Sequence, residues 1–285
     1  MKFKRLPSDG SGKTDYKMLV GGVCLGALMM FMYLGPQDVA EVPALRAAPS
    51  SDTNGWHPIN VFYGDVSGLK TEDKEWFSQV NQDQVILDLI GPDGYFIDLA
   101  ANEAVEYSNT LALERHGWNG LCVEPNPTYW YGLSHRKCTV VGALLGENVD
   151  KVQVKFRGVY GGIVGKMPDA MATFKKEPEA IVEERFTAPI RDVLKRFNVP
   201  KIIDYMSLDI EGAEYLVMKS FPFDEYSIKV LTVERPHKQL KMLLGLNGYI
   251  MVKSLAWWGE TLWVHTSTGY TADHPKIAKI IEEGK

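Results

Sequence analysis

The chain has 285 residues, 45% of them hydrophobic and 24% charged, a composition that excludes a disordered or low-complexity protein and allows one good core plus an appendage. A formal charge of -5 and a pI near 5.7 exclude a nucleic-acid binder, because phosphate affinity needs a concentrated basic surface. The same balance disfavours large anionic substrates.

The first element in chain order is an uncharged apolar run from Met18 to Leu34, interrupted only by the Tyr33 hydroxyl. At ~1.5 Å per residue it reaches the lower end of what a ~30 Å hydrocarbon core requires. Lys2, Lys4, Arg5, Lys13 and Lys17 precede it, whereas Gly35 to Pro49 holds a single Arg46. The positive-inside rule then predicts a cytoplasmic tail over 1–17, a signal anchor over 18–34 and a type II orientation. Small residues at Ala40, Ala44, Ala47 and Ala48 supply the competing reading, a cleaved signal or transit segment. Pro, Gly, Ser and Asp at short intervals make 35–69 a stem, and 70–285 the globular domain. No Asn-x-Ser/Thr acceptor occurs, so glycosylation gives no support for lumenal exposure.

From there helical and strand-like segments alternate. The pattern predicts a helix over Glu72–Ile90, a buried strand over Tyr95–Leu99, and a helix over Ser108–His116 that Gly117 ends. A strand over Gly120–Val123, a helix over Thr128–Leu133 and a strand over Thr139–Leu144 follow. Val152–Phe156 alternates as a half-exposed strand does, and Gly158–Gly165 reads as a flexible lid, since it lacks the Lys-Ser/Thr of a P-loop. Arg191–Phe197 is helical, Ile203–Leu208 a central strand, Ala213–Phe221 a helix and Ile228–Val233 the next strand. Tyr249–Ser254 and Thr261–His265 are spaced as an antiparallel end pair. Such alternation means a mostly parallel sheet covered by helices on both faces, an α/β fold. Cys122 and Cys138 leave one bridge open, but free buried thiols are the preferred reading.

Ligands of open parallel sheets bind at the carboxyl ends of the strands, so acids ending apolar strands carry the functional signal. Asp98 is followed by a turn of small residues, Ala100-Ala101-Asn102; Glu124 ends the second strand; Asp209 and Glu211 follow the strand ending at Leu208; Glu234 follows Val233. The separation of the Asp98 turn from Glu124 is that of a nucleotide-binding βαβ unit, in which an acid closing the second strand accepts from both ribose hydroxyls.

The segments Gly94 to Asn102, Ser108 to Thr110, Gly117 to Asn126 and Asp204 to Glu214, with Ser78 to Asp83 upstream, resemble those of the FkbM-type methyltransferases. The resemblance runs from about Glu75 to His265. It implies a class I methyltransferase (Rossmann-like) sheet, S-adenosylmethionine as donor, and O-methylation of a sugar, glycan or small-molecule hydroxyl. Together with the anchor it implies a Golgi or endoplasmic reticulum enzyme facing the lumen; cleavage would give an organellar or secreted one.

Carried over by position, Asp98, Ala100 and Asn102 face the amino-acid end of the donor, Glu124 holds the ribose and Asn126 lies beside it. Asp209 is the first candidate for general base and Glu211 the second, with His237 third. Glu214, His237 and Trp258 are candidates for touching the acceptor. Helix capping and ion pairing are the competing roles for these acids, and packing for the tryptophans. No metal site is predicted. The chain departs from the family at Ala100 and Ala104, where glycine is usual, which leaves a non-catalytic Star-like membrane protein as the alternative.

Overall fold

The computed structural model describes residues 59–62, 69, 71, 73–157, 160–164 and 182–282. The expected cytoplasmic tail, the membrane anchor and most of the stem lie outside them. Among the described residues, no helix is long and apolar enough to cross a membrane.

Two sheets form the domain. The larger contains β1 (Asn60–Phe62), β2 (Tyr95–Leu99), β3 (Asn119–Val123), β4 (Thr139–Gly142), β9 (Ile202–Leu208), β10 (Ser227–Glu234), β11 (Tyr249–Ser254) and β12 (Glu260–His265), in the order β1-β4-β3-β2-β9-β10-β12-β11. β4, β3, β2, β9 and β10 run parallel, whereas β1 and the β11–β12 pair close the two edges antiparallel. The smaller sheet has the order β5-β8-β6-β7, from β5 (Leu144–Gly146), β6 (Lys151–Arg157), β7 (Tyr160–Ile163) and β8 (Val182–Pro189).

Alternation along the parallel strands divides the core. Ile97, Leu99, Leu121 and Val123 pack with Val193 and Leu194 of α4 (Ile190–Arg196), Val217 of α5 (Glu214–Met218) and Leu240 and Leu244 of α6 (Lys238–Leu246). Phe96, Cys122, Val140 and Tyr205 turn to the other face. They meet Val85, Ile86 and Leu89 of α1 (Gln82–Ile90), Leu113 of α2 (Leu111–Arg115), Leu133 of α3 (Trp130–Leu133) and Ile277 of α7 (Pro275–Ala278). Helices thus cover both faces, as a sheet of continuous apolar strands demands.

Several expectations need correction. The first helix begins at Gln82, not Glu72, because Asp83 folds the preceding residues into a turn. Its Oδ2 accepts from the N–H groups of Phe77 (2.7 Å) and Ser78 (3.2 Å), its Oδ1 from the Ser78 hydroxyl (2.6 Å), and Asn81 is left-handed at φ 61°. Residues read as stem at Asn60–Phe62 pair with β4 as an edge strand. The segment read as one strand over Thr139–Leu144 breaks at Ala143, so that β4 and β5 enter different sheets. Tyr160–Ile163, inside the presumed glycine-rich lid, is a strand of a hairpin with β6. β8 and α6 carried no sequence expectation.

Cys122 and Cys138 are joined, not free. Cys122 lies on β3 facing the same side as Cys138, which immediately precedes the neighbouring strand β4, and their Cα atoms stand 5.9 Å apart, within disulfide reach. A helix crossover brings residues 16 positions apart to that distance, which spacing alone does not reveal. Closing a loop of this size stabilises a fold by about 2–4 kcal/mol. Replacing both cysteines with alanine should lower the unfolding free energy by that amount in urea titrations of the full chain; a variant as stable as the parent would show that the bridge contributes nothing.

Candidate active site

Strand order reverses between β2 and β9, which both start crossovers in opposite directions, and a cleft opens beyond their carboxyl ends. Its volume is about 620 Å³, within the usual range for small-molecule sites. Two clusters of side chains build it.

The first is the pair of turns after β2 and β3. Ala100 and Ala101 both donate backbone N–H groups to the Val123 carbonyl, which draws the turn over the end of β3. Ala100 and Asn102 take left-handed conformations, at φ 61° and 54°. Glu124 is buried, its Oε2 accepting from Asn102 N–H at 2.8 Å and its Oε1 from Asn126 N–H at 2.7 Å. A carboxylate oxygen has two lone pairs, so each still has one to offer a ligand hydroxyl. Burial raises the Glu124 pKa to about 7, against the two amide hydrogen bonds. Asp98, between Cys122 and Ser207 in the sheet, is raised to about 6, with burial opposed chiefly by the Thr110 hydroxyl.

The second cluster is a wall of acids. Asp209, Glu211, Glu234 and Glu260 all line the cleft. Glu260 opens β12, which runs antiparallel to β10, so its start lies beside the end of β10 and Glu260 pairs with Glu234. That register is the signal for Glu260, and it is read only once the hairpin direction is known. Burial first, and then the charges of neighbouring acids, push Asp209 well above the ordinary carboxylate range; its Oδ1 is enclosed with no hydrogen-bond partner among the described residues. Glu211 rises to about 7, through burial and then the charge of Glu234, and Glu260 to about 8 for the same two reasons. Of the two base candidates, Glu211 is therefore the better matched to neutral pH, whereas burial and its acidic neighbours favour the neutral form of Asp209.

The structure brings Asp98, Ala100, Asn102, Glu124, Asn126, Asp209, Glu211 and Trp258 to one cleft. Glu214 and His237 are not among its lining residues. Glu214 is buried with Oε1 accepting from the N–H groups of Gly212 (2.9 Å) and Ile210 (3.2 Å), so it shapes the loop that carries Glu211. His237 caps α6 by accepting from Leu240 N–H. Gln79, Gln82, Tyr107 and Asn109 also face the cleft. The Asp83 turn delivers both glutamines, a consequence of its hydrogen bonds that periodicity does not carry. Trp257 stands 70% exposed at the cleft, edge-on to Trp258.

Eight carboxylates line the cleft, the six above with Glu103 and Glu106, and Arg235 is the only Lys or Arg among the described lining residues. Arg235 is already paired with Glu234 at 3.0 Å. Such a surface repels the pyrophosphate of a dinucleotide and suits a nucleoside ligand that carries positive charge. Fold and site thus define an open α/β domain with an acidic cleft at the carboxyl ends of its parallel strands. S-adenosylmethionine, a nucleoside bearing a sulfonium and an ammonium group, fits this donor set.

The model of the methyltransferase FkbM domain matches residues 98–251, more than half of the chain, and the protein belongs to this methyltransferase family. No curated protein matches it. Among solved structures it is similar to the precorrin-6y C5,15-methyltransferase of Geobacter metallireducens, at 14% identity and a TM-score of 0.34, over 66% of this chain and 81% of that one.

Ala100 occupies a left-handed position where glycine meets no Cβ clash. Glycine there relieves about 1–2 kcal/mol of strain and gives back about 0.4–1 kcal/mol in unfolded-chain entropy. Ala100→Gly should therefore raise the melting temperature by a few degrees in scanning calorimetry; an unchanged or lower value would contradict the strain at this turn.

Proposed function

We propose that this methyltransferase transfers the methyl group of S-adenosylmethionine to a hydroxyl of a sugar or glycan. The observation that supports it most directly is the cradle at Glu124, a buried carboxylate fixed by two backbone amides and still able to accept from a ribose diol. Asp98 and the Ala100–Asn102 turn would take the amino-acid end of the donor, and Asn126 would lie beside the nucleoside. When bound, the donor supplies an activated methyl on a sulfonium, so the chain's own task is largely positioning and proton removal.

Glu211 accepts the proton that an acceptor hydroxyl must lose. In the neutral form that burial favours, Asp209 donates a hydrogen bond that orients the acceptor oxygen, while the acidic lining keeps anionic acceptors out. Exposed Trp257 and its neighbour Trp258 offer flat faces at the cleft for a sugar ring. The Cys122–Cys138 bridge supports residence in an oxidising compartment, in agreement with a type II protein of the Golgi or endoplasmic reticulum whose catalytic domain faces the lumen. The non-catalytic alternative draws on Ala100 and Ala104. The open cleft and the intact Glu124 cradle favour the enzyme.

Titration calorimetry of the full chain with S-adenosylhomocysteine tests the donor site without the acceptor. The wild type should bind, and Glu124→Ala should lose at least about tenfold in affinity, the equivalent of one charge-assisted hydrogen bond. A well-folded wild type that binds neither the donor nor its product would overturn the reading. With an acceptor in hand, the rate should rise as pH increases through about 7, because Glu211 works only when ionised, and Glu211→Gln should abolish that limb. A limb unchanged in Glu211→Gln would move the base elsewhere.

A further inference from the structure

Arg136 is 0% exposed, and the proposed reaction has no direct use for it. A guanidinium removed from water needs a paired charge and filled donors. Its Nε donates to Glu114 Oε2 at 3.0 Å. Its Nη1 donates to the Ala104 carbonyl and the Ser108 hydroxyl, and its Nη2 to the Thr110 hydroxyl, each at 3.0 Å. Glu114 in turn accepts from the backbone N–H groups of Lys137 and Cys138, each at 3.0 Å, which fixes the segment that carries Arg136.

Ala104, Ser108 and Thr110 all belong to the loop that leads from the Ala100 turn to α2. Arg136 therefore holds three points of the loop whose other end forms the donor pocket. The relay also has a direction. The Thr110 oxygen accepts from Arg136, and its single proton goes to Asp98 Oδ2 at 2.6 Å. Asn109, between two of the anchored residues, reaches across to donate to Ser207 on β9 at 3.0 Å. A buried cation is thus connected through one hydroxyl to the first acid of the cleft.

We infer that Arg136, acting through Thr110, is a positioning residue that holds the Asp98 carboxylate in place for the positively charged amino-acid end of the donor. The inference rests on the reading that Asp98 meets the donor. The electrostatics agree in sign: the Thr110 hydrogen bond and the Arg136 charge both favour the ionised carboxylate, against burial and the charge of Glu114. A network that only stapled the fold would need no hydroxyl proton aimed at a cleft carboxylate.

A double-mutant cycle on the full chain, read by calorimetric affinity for S-adenosylmethionine with melting temperature recorded alongside, tests this. Thr110→Val keeps the shape and removes the hydrogen bond, and should weaken binding about tenfold, whereas Thr110→Ser should stay within about threefold of the wild type. In an Asp98→Asn background, Thr110→Val should cost no more than about twofold, because the group it acts through has lost its charge. Arg136→Lys, which keeps a cation opposite Glu114 but cannot serve all three loop acceptors, should show the same dependence on Asp98 and stands in if Thr110→Val fails to fold. Full additivity with Asp98→Asn, or a folded Thr110→Val that binds as the wild type does, would overturn the relay and leave the donor site intact. A wild type that does not bind S-adenosylmethionine would overturn the donor reading itself, and the relay with it.

Discussion

Carboxylates crowded at the carboxyl edge of a parallel sheet must lose water, and much of this structure answers that constraint. An isolated buried carboxylate is costly unless hydrogen bonds or charges compensate it. Glu124 is compensated by two backbone amides, Asp98 by a hydroxyl backed by a guanidinium, and Glu214 by two further amides. Asp209, whose Oδ1 has no hydrogen-bond partner among the described residues, and Glu260, beside Glu234, are instead pushed upward by burial and neighbouring charge. The cleft is thus divided between acids held by backbone or hydroxyl donors at β2 and β3 and acids beside β9 and β12 whose neutral form burial favours.

That division gives each region of the chain a distinct task. The backbone of the turns after β2 and β3 meets the hydrogen-bond demand of Glu124, and the Thr110 hydroxyl that of Asp98. Farther along the cleft, Asp209 Oδ1 is enclosed without a hydrogen-bond partner among the described residues, while Glu234 is paired with Arg235. Under the proposed function, a cationic donor would lower the cost of ionising these acids, and that favourable field would disappear when the sulfonium became a neutral thioether.

The disulfide and the Arg136 network sit beneath the same turns. Cys138 follows Arg136 by two residues, its N–H is held by Glu114, and its sulfur is tied to the strand beside Asp98. Covalent and ionic restraints thus converge on the loop between Ala100 and α2. This loop also contains the left-handed Ala100, whose strain must be carried by the surrounding structure.

The α/β class, the strands from Tyr95 to His265 that carry continuous apolar runs, and the acids that end them are legible in the amino-acid sequence, because periodicity and strand-end position are local properties. It also carried the family resemblance. Which acids meet depends on how the strands pair. Glu260 joins the cleft because β12 runs antiparallel, and Gln79 and Gln82 join it because Asp83 bends the chain where a helix was expected. Glu214 and His237 leave the list because their side chains cap backbone nearby, and Cys122 finds Cys138 because a crossover places their strands side by side. Each of these outcomes depends on strand direction, register or a side-chain hydrogen bond to distant backbone, and none of those leaves a periodic trace in the sequence.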